Sequence, residues 1–361
     1  MHAVQTASNC TEYWWDQMGG VDLGIFAHNE ERNIQTVIKD ILHQDLVHDV
    51  RHSLRILVLA NGCSDHTVSA AQAAVRAANT GVTIDVIDLK QGGKSRTWNE
   101  FVHELSRSDA GFLIFADADI RLPDPTTLSR LLAFIEERPS IDAASSRPVK
   151  DIDFFPQRLS LTEKLISAGG GTLGDTRHAI CGQLYVMRAE TARVLHVPIG
   201  LPVEDGFVRH ALITDTFSAP IKLEAVDQSE DIFHIYGSER HIMSLVRHQV
   251  RIVIGGAVNA ALFEHLLGIS LRNGKQSTRI ELSQAAVDPN WLTRVLTSRL
   301  PDRRFGWIPW RFLFSRLTNY TRVANFSMKR TAVTVLGFLF DLTVYVVAHV
   351  KMARGRGAGY W

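Results

Sequence analysis

The sequence predicts an α/β fold with a mostly parallel sheet flanked by helices, followed by a helical, membrane-facing C-terminal region. Short apolar, β-branched segments alternate with amphipathic helical segments, which is typical of right-handed βαβ units. The strand candidate Gly111–Ala116 is almost continuously apolar, as expected in a sheet covered on both faces. A basic and aromatic segment followed by an apolar one indicates the membrane-facing end.

The elements follow from the spacing of apolar residues, taken in chain order. The predicted strands are Val21–Ala27, Arg55–Leu59, Val82–Leu89, Gly111–Ala116, Ile141–Ser145, Ala179–Arg188 and Ile221–Val226. The predicted helices are Asn33–His43, Thr67–Asn79, Ser95–Ser106, Glu204–Ile213 and a long one from Ser238 to about Leu267. The glycine-rich segment Ser167–Thr176 is predicted to be a mobile loop. We expect an N-terminal extension (1–20), one domain (21–230), a helical extension (231–297) and a membrane-associating tail (298–361).

Composition narrows the class of protein. Of the 361 residues, 45% are hydrophobic and 21% are charged, which excludes a disordered or fibrous chain. Three distant cysteines predict a reducing compartment, and the first twenty residues lack the pattern of a secretory signal. The net charge of +1 hides an asymmetry: residues 298–361 contain eleven Lys or Arg and two acids, so they carry +9 and the preceding residues carry −8. This asymmetry indicates two surfaces with different partners.

Polar clusters follow the first four predicted strands, at the sheet edge where α/β proteins bind ligands. For the first two clusters, capping of the next helix by Asn29, Ser64 or Asp65 is an alternative to ligand binding. The clusters are Ala27-His28-Asn29-Glu30-Glu31-Arg32-Asn33, Asn61-Gly62-Cys63-Ser64-Asp65-His66-Thr67, Gln91-Gly92-Gly93-Lys94-Ser95 and Asp117-Ala118-Asp119.

The third cluster is not a phosphate-binding P-loop, because Asp88 stands where that motif needs its first glycine. What remains is a Gly-Gly turn with Lys94 at a helix N-terminus, an arrangement suited to an anion. A plain turn with a solvated lysine is the alternative.

The fourth cluster is the most specific. Asp117 and Asp119 stand two residues apart after a buried strand, so their side chains point the same way and repel unless neutralised. Mg²⁺ or Mn²⁺ needs few protein oxygens, because substrate phosphates complete its coordination. We therefore expect a divalent metal site here, with two solvated loop acids as the alternative.

In this order and spacing, the four motifs resemble the nucleotide-sugar half of the family 2 glycosyltransferases of the GT-A fold, over roughly residues 21–215. The resemblance implies a nucleoside diphosphate sugar as donor, a metal site at Asp117 and Asp119, and Lys94 near the phosphates. The donor-binding residues it implies are Ala27, Asn29, Glu30, Asn61, Asp65, Lys94 and Asp117.

The resemblance also implies a catalytic pair, Glu204 and Asp205, with Asp205 as the general base that deprotonates the acceptor hydroxyl. Their alternative is a pair of ordinary acids at a helix start. His234 is a candidate third metal ligand, with a structural histidine as its alternative.

Two departures from the family pattern matter. Asn61 stands where an Asp often helps to read uracil, so the base of the donor stays open. The Gln/Arg-x-x-Arg-Trp element of processive members is absent at Arg247–Ile252, so we expect transfer of a single sugar.

The tail points to a membrane. Thr331–Val350 is long enough to cross a bilayer, but a polar stripe of Thr334, Gly337, Asp341, Tyr345 and His349 favours packing on protein or lying in the interface. The preceding segment mixes aromatic and basic residues, as membrane interfaces do; an ordinary helical lid is the alternative. The aromatic residues are Phe305, Trp307, Trp310, Phe312, Phe314, Tyr320 and Phe326, and the basic ones Arg299, Arg303, Arg304, Arg311, Arg316, Arg322, Lys329 and Arg330.

The sequence thus predicts an inverting glycosyltransferase acting in lipid-linked glycan, glycolipid or exopolysaccharide assembly. We expect it at the cytoplasmic side of a membrane, as a peripheral, monotopic or single-pass protein, with a glycan or lipid-linked acceptor and no nucleic acid partner.

A sugar nucleotidyltransferase is the nearest alternative, although Phe26–Asn33 lacks the glycine-rich loop of that class. A catalytically silent sugar or nucleotide binder is a second alternative. A dehydrogenase is disfavoured because no Gly-x-Gly-x-x-Gly follows the first strand.

Overall fold

The computed structural model describes residues 19–155, 177–299, 308–321 and 327–355. The N-terminal extension up to residue 18 and the glycine-rich segment up to residue 176 lie outside the described residues. So do several aromatic and basic residues of the tail: Arg303, Arg304, Phe305, Trp307, Arg322, Phe326 and Arg356.

Within the described residues, eight strands form one mixed sheet in the order β3-β2-β1-β4-β7-β6-β8-β5. Four of the neighbouring pairs are parallel and three are antiparallel. The strands are β1 Gly20–Ala27, β2 Leu54–Asn61, β3 Thr83–Leu89, β4 Ala110–Asp117, β5 Ile120–Arg121, β6 Ala143–Lys150, β7 Leu184–Arg188 and β8 Val226–Tyr236.

The parallel half of the sheet brings four strand ends to one edge. Strand β1 pairs in parallel with β2 and with β4, and β2 pairs in parallel with β3. In this register Phe26 lies opposite Asp117, and Asn61 lies opposite Leu89. The polar clusters that follow these strands therefore start side by side, and the predicted α/β fold is confirmed.

The second half of the sheet differs from the sequence prediction. The predicted strand Ile221–Val226 is wrong, because β8 begins at Val226 and runs to Tyr236, across the predicted boundary at residue 230. Acidic residues at exposed positions, such as Glu230 and Asp231, interrupt its apolar pattern and conceal the strand. The predicted strand Ala179–Arg188 is shorter than expected, since only Leu184–Arg188 pairs.

Helices cover both faces of the sheet, so two hydrophobic cores form. One core holds the buried apolar side of the first helix, including Ile34, Val37 and Ile41. The other holds Trp98 and Phe101 together with buried residues of the later helices. The helices are α1 Ile34–Leu42, α2 Thr67–Ala77, α3 Lys94–Asn99, α4 Thr127–Glu136, α5 Asp151–Phe154, α6 Ala189–Val194, α7 Glu204–Ile213, α8 Ile242–Asn273, α9 Lys275–Ala285, α10 Trp291–Arg299, α11 Trp310–Thr321 and α12 Met328–Ala353.

Candidate active site

The loops after β1 and β2 are joined by Asn29. Its backbone takes a left-handed conformation (φ 56°), which asparagine tolerates better than most residues. Its Oδ1 accepts the Ser64 backbone N–H at 2.8 Å, and the neighbouring Glu30 N–H donates to Thr67 Oγ1 at 2.7 Å. The alternative in which Asn29 caps the next helix does not hold, because α1 begins at Ile34 and its N-cap is Asn33.

Asp65 holds the start of α2. Its Oδ1 accepts the Thr67 backbone N–H at 2.9 Å, and its Oδ2 accepts the Glu31 N–H at 3.2 Å. Although burial opposes ionisation, the bonds from Thr67 and Glu31 keep the pKa of Asp65 below its usual value. Asp65 therefore stabilises the N-terminus of α2 and also holds the loop after β1 through Glu31.

The loops after β2 and β3 touch directly. Asn61 is buried, and its Oδ1 accepts the Gly93 N–H at 2.7 Å. Gly62 has a φ of 58°, and a Cβ there would lie 2.7 Å from the Cα of Gly92. Asn61 Oδ1 thus makes an internal bond that shapes the loop in front of Lys94. The role of Asn61 in donor binding stays a prediction.

Ala27, the last residue of β1, lies beneath these loops. It is buried, and its carbonyl accepts the Cys63 thiol at 3.4 Å. Beside it, a recess of about 400 Å³ opens along α2 and the end of β3. Its walls include Gly62, Cys63, Asp65, Asp88 and Lys90. The recess adjoins the second polar cluster, and its walls do not include the Asp117–Asp119 pair.

Lys94 organises the acidic part of the site. Its Nζ lies 2.7 Å from Asp117 Oδ1 and 3.1 Å from Glu204 Oε1, and it donates to the Gly182 carbonyl at 3.0 Å. Glu204 is buried, and Asp117 ends β4. One ammonium thus connects the third and fourth polar clusters to the start of α7.

The cluster holds more negative than positive charge. Burial raises the pKa of Asp117 to about 6, and Asp119 and Glu204 act in the same direction, although Lys94 opposes them. Desolvation by the surrounding protein atoms, together with Glu30, likewise raises the pKa of Asp119, although this residue reaches the surface at the rim of the site. Despite burial, Asp117 and Glu204 raise the pKa of Lys94 well above its usual value. The site therefore favours an additional cation.

Asp205 lies against Gly182. A Cβ at position 182 would lie 2.9 Å from Asp205 Oδ2, so a larger residue there collides with the carboxylate. Asp205 Oδ1 also accepts the Gly206 N–H at 2.7 Å. Burial, together with the neighbouring Glu204, raises the pKa of Asp205 to about 6. A carboxylate with such a pKa is a competent proton acceptor near neutral pH.

His234 is fully buried, and both of its ring nitrogens face polar groups. Nδ1 lies 2.7 Å from Ser146 Oγ, and Nε2 lies 3.2 Å from Gln183 Oε1. Burial lowers the pKa of His234 to about 3, so the imidazole is neutral. Because Gln183 O also accepts the Asp117 backbone N–H at 2.8 Å, His234 lies one residue away from the acidic cluster. Its role as a metal ligand stays a prediction.

Two site residues escaped the sequence prediction. Gly182 and Gln183 fall inside the segment that was predicted to be a strand, yet they form the wall between Asp117, Asp205 and His234. A glycine within a strand pattern signals a close approach of another group, and this signal could have identified Gly182.

Comparison with known proteins agrees with this arrangement. Residues 22–194, just under half of the chain, match the family described as "Glycosyl transferase family 2", so this region is similar to the family 2 glycosyltransferases. No curated protein sequence matches the chain significantly.

Two solved structures are similar to this chain. The mannosyltransferase PcManGT from Pyrobaculum calidifontis, solved in complex with GDP-Man and Mn²⁺, is 14% identical with a TM-score of 0.53, and the match covers 93% of each chain. The glucosyl-3-phosphoglycerate synthase from Mycobacterium tuberculosis, solved with Mg²⁺ and UDP, is 17% identical with a TM-score of 0.45, covering 72% of this chain and 85% of that one. The first of these likenesses establishes a GT-A fold for this protein.

Proposed function

We propose that this glycosyltransferase uses Mg²⁺ or Mn²⁺ and moves one sugar from a nucleoside diphosphate sugar to an acceptor hydroxyl. The observation that carries the proposal is the joining of Asp117 and Glu204 by Lys94 at the carboxyl edge of the sheet. Asp205 stands next to this cluster, across Gly182. The arrangement supports a site in which a cation held by the acidic cluster stabilises the leaving group, and in which Asp205, across Gly182, accepts a proton.

The residues present fit a hard divalent cation. The available donors are carboxylate oxygens. Burial, and to a smaller extent the neighbouring acids, raises the pKa values of Asp117 and Asp119, and a bound cation would offset both effects. In the described part of the chain, no three His, Cys, Asp or Glu side chains converge on one point. Asp117 and Asp119 would therefore hold the ion together with substrate oxygens, with His234 as the further candidate. When bound, the ion supplies positive charge to a diphosphate leaving group.

The chain's own residues divide the remaining tasks. Lys94 forms ion pairs with Asp117 and Glu204 in this structure. Because a lysine ammonium is carried on a flexible stem, Lys94 is also available to bind the donor phosphates. Asp205 accepts the proton of the acceptor hydroxyl as that oxygen attacks the sugar, in a single inverting displacement. Glu204 keeps Lys94 in place rather than contacting the acceptor.

The loops after β1 and β2 form the candidate binding site for the nucleoside of the donor. Glu30 is half-buried, and its Oε2 accepts an N–H of Asn33 at 2.7 Å, while burial raises its pKa. Asn29 and Asp65 hold the two loops together through the bonds described above. We infer that these residues shape the nucleoside site mainly by fixing the loop backbone.

We also propose that the C-terminal helices lie on a membrane. Helices α8 and α12 are both long and apolar enough to cross a bilayer, by length and composition. In α12 the polar stripe is turned inward, since Asp341 and His349 are buried. The outward side is apolar: Val335, Leu336, Leu339 and Val346 are 50–60% exposed. An outward apolar face supports contact with lipid at the membrane surface, close to a lipid-linked acceptor.

The test is ligand-dependent stability followed by turnover. Wild-type protein is screened by thermal shift against nucleoside diphosphate sugars with and without Mn²⁺; at 100 times its Kd, a bound ligand adds about 2.7 kcal/mol. Asp119→Ala is expected to lose the Mn²⁺-dependent part of the shift. Glu137→Ala, which removes an exposed acid at the residue that follows α4, is expected to keep the Mn²⁺-dependent shift.

Products then separate the candidate functions. Release of nucleoside diphosphate with an inverted anomeric signal by NMR supports the proposal, and release of pyrophosphate supports a nucleotidyltransferase. Binding without turnover across donors supports a silent binder. A long homopolymer as product contradicts transfer of a single sugar.

A further inference from the structure

Helix α8 packs against the residues on either side of the pair Glu204–Asp205. Gly255 of α8 lies so close to Val203 that a Cβ at position 255 would collide with the Val203 side chain. A Cβ at Gly206 would lie 3.2 Å from the Nδ2 of Asn259, which stands one helical turn after Gly255. The first turn of α7 therefore rests directly on α8, before and after the two acids.

The side chain of Asn259 makes a single hydrogen bond within the described residues. Its Nδ2 donates to the Val203 carbonyl at 3.0 Å, and Val203 is the N-cap residue of α7. An N-cap carbonyl already accepts the first hydrogen bond of its own helix. The Val203 carbonyl therefore does not need Asn259 in order to be satisfied.

The other polar atom of the same amide destabilises the folded state. Asn259 is 5% exposed, and its Oδ1 is buried without a hydrogen-bond partner in the part of the chain that the structure describes. A buried oxygen that has lost its bonds to water costs more than one additional hydrogen bond typically contributes. Stability alone therefore does not explain an asparagine at this position.

What the bond fixes is the place where α7 begins. A second donor restricts the direction of the Val203 carbonyl, and Asp205 follows two residues later. The Asp205 carboxylate has little room, because its Oδ1 accepts the Gly206 N–H at 2.7 Å and its Oδ2 would lie 2.9 Å from a Cβ at Gly182. Helix α8 is itself held in a core that includes Val344 of α12. A firmly packed helix thus sets the position of the proposed base.

We propose that Asn259 is a positioning residue for sugar transfer, which holds the carboxylate of Asp205 toward the acceptor hydroxyl by fixing Val203. This inference rests on the proposed function, in which Asp205 is the proton acceptor. Asn259 is buried, so it acts through α7 and not by touching a substrate. Removing its amide should slow the transfer step and leave donor binding intact, because the donor is assigned to Lys94 and the metal site.

The experiment uses full-length protein with Mn²⁺ and the nucleoside diphosphate sugar that gives the largest thermal shift. Turnover is measured as release of nucleoside diphosphate with glycerol as the acceptor probe. The kcat is expressed per nucleotide-binding site, so that unfolded protein does not count. Asn259→Ala, Gly206→Ala and the double variant complete a mutant cycle. Val344→Ala, which truncates a fully buried side chain of α12, is the control for a general loss of packing.

Gly206→Ala leaves Asn259 in place but displaces its amide. The added Cβ meets Asn259 Nδ2 at 3.2 Å, and its next neighbour, Val203 Cγ1, is 3.8 Å away. Alanine also favours a helix more than glycine does, so this variant should keep its Tm. A lower kcat at an unchanged Tm is a result that a purely structural role of Asn259 does not give.

Asn259→Ala and Gly206→Ala are each expected to lower kcat about tenfold, because the proposed base is displaced, while the donor KM changes less than about twofold. The double variant should be no slower than Asn259→Ala, since the added Cβ then has no amide to displace. Val344→Ala should lower Tm and keep the wild-type kcat per binding site.

Three results overturn the inference. In the first, Asn259→Ala keeps the wild-type kcat per binding site, or Val344→Ala loses as much. In the second, the losses of the two single variants multiply in the double variant, so that Asn259 and Gly206 act independently. In the third, Asn259→Ala raises the donor KM at unchanged kcat, which would place its effect on Lys94 through Glu204. Nucleotide binding by wild-type protein without any release of nucleoside diphosphate is a different outcome, because it refutes the proposed function itself.

Discussion

At the scale of single residues, Gly182 links the two halves of the candidate site. Its carbonyl accepts Lys94 at 3.0 Å, and its missing side chain leaves room for Asp205. The position of the proposed base therefore depends on the absence of one methyl group. This dependence can be tested without touching a charged residue.

Gly182→Ala is expected to lower kcat about 10- to 100-fold, because displacing a catalytic group by about 1 Å has effects of that order. Nucleotide binding with Mn²⁺ should change little, since Asp117 and Asp119 are retained. Steady-state kinetics of nucleoside diphosphate release measure both quantities. Gly237→Ala is the control, because nothing lies within 4 Å of a Cβ at that position. An unchanged kcat in Gly182→Ala would contradict the placement of Asp205.

A second residue-scale feature is the stacked pair His103 and His196, whose ring centroids are 4.1 Å apart. Burial, with the neighbouring imidazole, lowers the pKa of His196 to about 4, and burial lowers the pKa of His103. Protons therefore bind the unfolded chain before they bind the native pair. Stability should be unaffected by the pair above pH 6.5 and should fall as the pH drops from about 6.5 to about 4.

For His196 the expected loss is on the order of 2 kcal/mol, after allowing for its partial exposure. Denaturant unfolding of wild type and His196→Phe at several pH values measures it. The phenyl ring keeps the stacking on His103, and the variant should lose less stability between pH 6.5 and 4. If the free energy of unfolding of wild type and of His196→Phe changed with pH in parallel, the histidine pair would have no effect on the pH dependence of stability.

At the scale of elements, α12 is an amphipathic helix whose polar side faces the protein and whose apolar side faces outward. Arg316 of α11 crosses Gly337, where a Cβ would lie 2.9 Å from its Cδ, and donates its Nε to Asp341 Oδ2 at 2.6 Å. Asp341 is only 4% exposed, so the polar stripe faces protein. Of the two arrangements compatible with the sequence, packing on protein and lying in the interface, the structure shows the first for the polar side of α12. The apolar side faces outward, and its contact with lipid stays a proposal.

Arg316→Met is expected to destabilise the α11–α12 pair by about 1–3 kcal/mol, because it leaves a buried carboxylate without its ion-pair partner. Hydrogen exchange of α12 amides would report the loss locally. Adding Asp341→Asn should restore part of the protection. Arg311→Met, at an exposed position of the same helix, is the matched control. Equal exchange in wild type and Arg316→Met would show that the pair does not hold α12 in place.

At the scale of the whole molecule, the outward apolar side of α12 predicts vesicle binding. The double variant Leu336→Asn/Leu339→Asn is expected to bind anionic vesicles about tenfold less tightly or weaker still, because two leucine side chains no longer enter the lipid. Flotation of full-length protein measures this. Val50→Asn/Ile221→Asn, which changes two apolar residues exposed elsewhere, should float as wild type does. Equal flotation of all three proteins would remove the membrane proposal.

The sequence by itself determined the parallel half of the fold and the order of the four polar clusters. Apolar segments define β1, β2 and β4, and the helices between them predict parallel pairing, which places their carboxyl ends at one edge. These features are local, so spacing along the chain is sufficient to read them.

Only the tertiary structure decided which side chains meet at that edge. Lys94 joins Asp117 to Glu204, although these two acids are 87 positions apart in the sequence, and Asn61 turns its oxygen to Gly93. The course of β8 and the inward side of α12 were decided in the same way. Each depends on contacts between segments distant in the chain, where burial and charge compensation outweigh local preference.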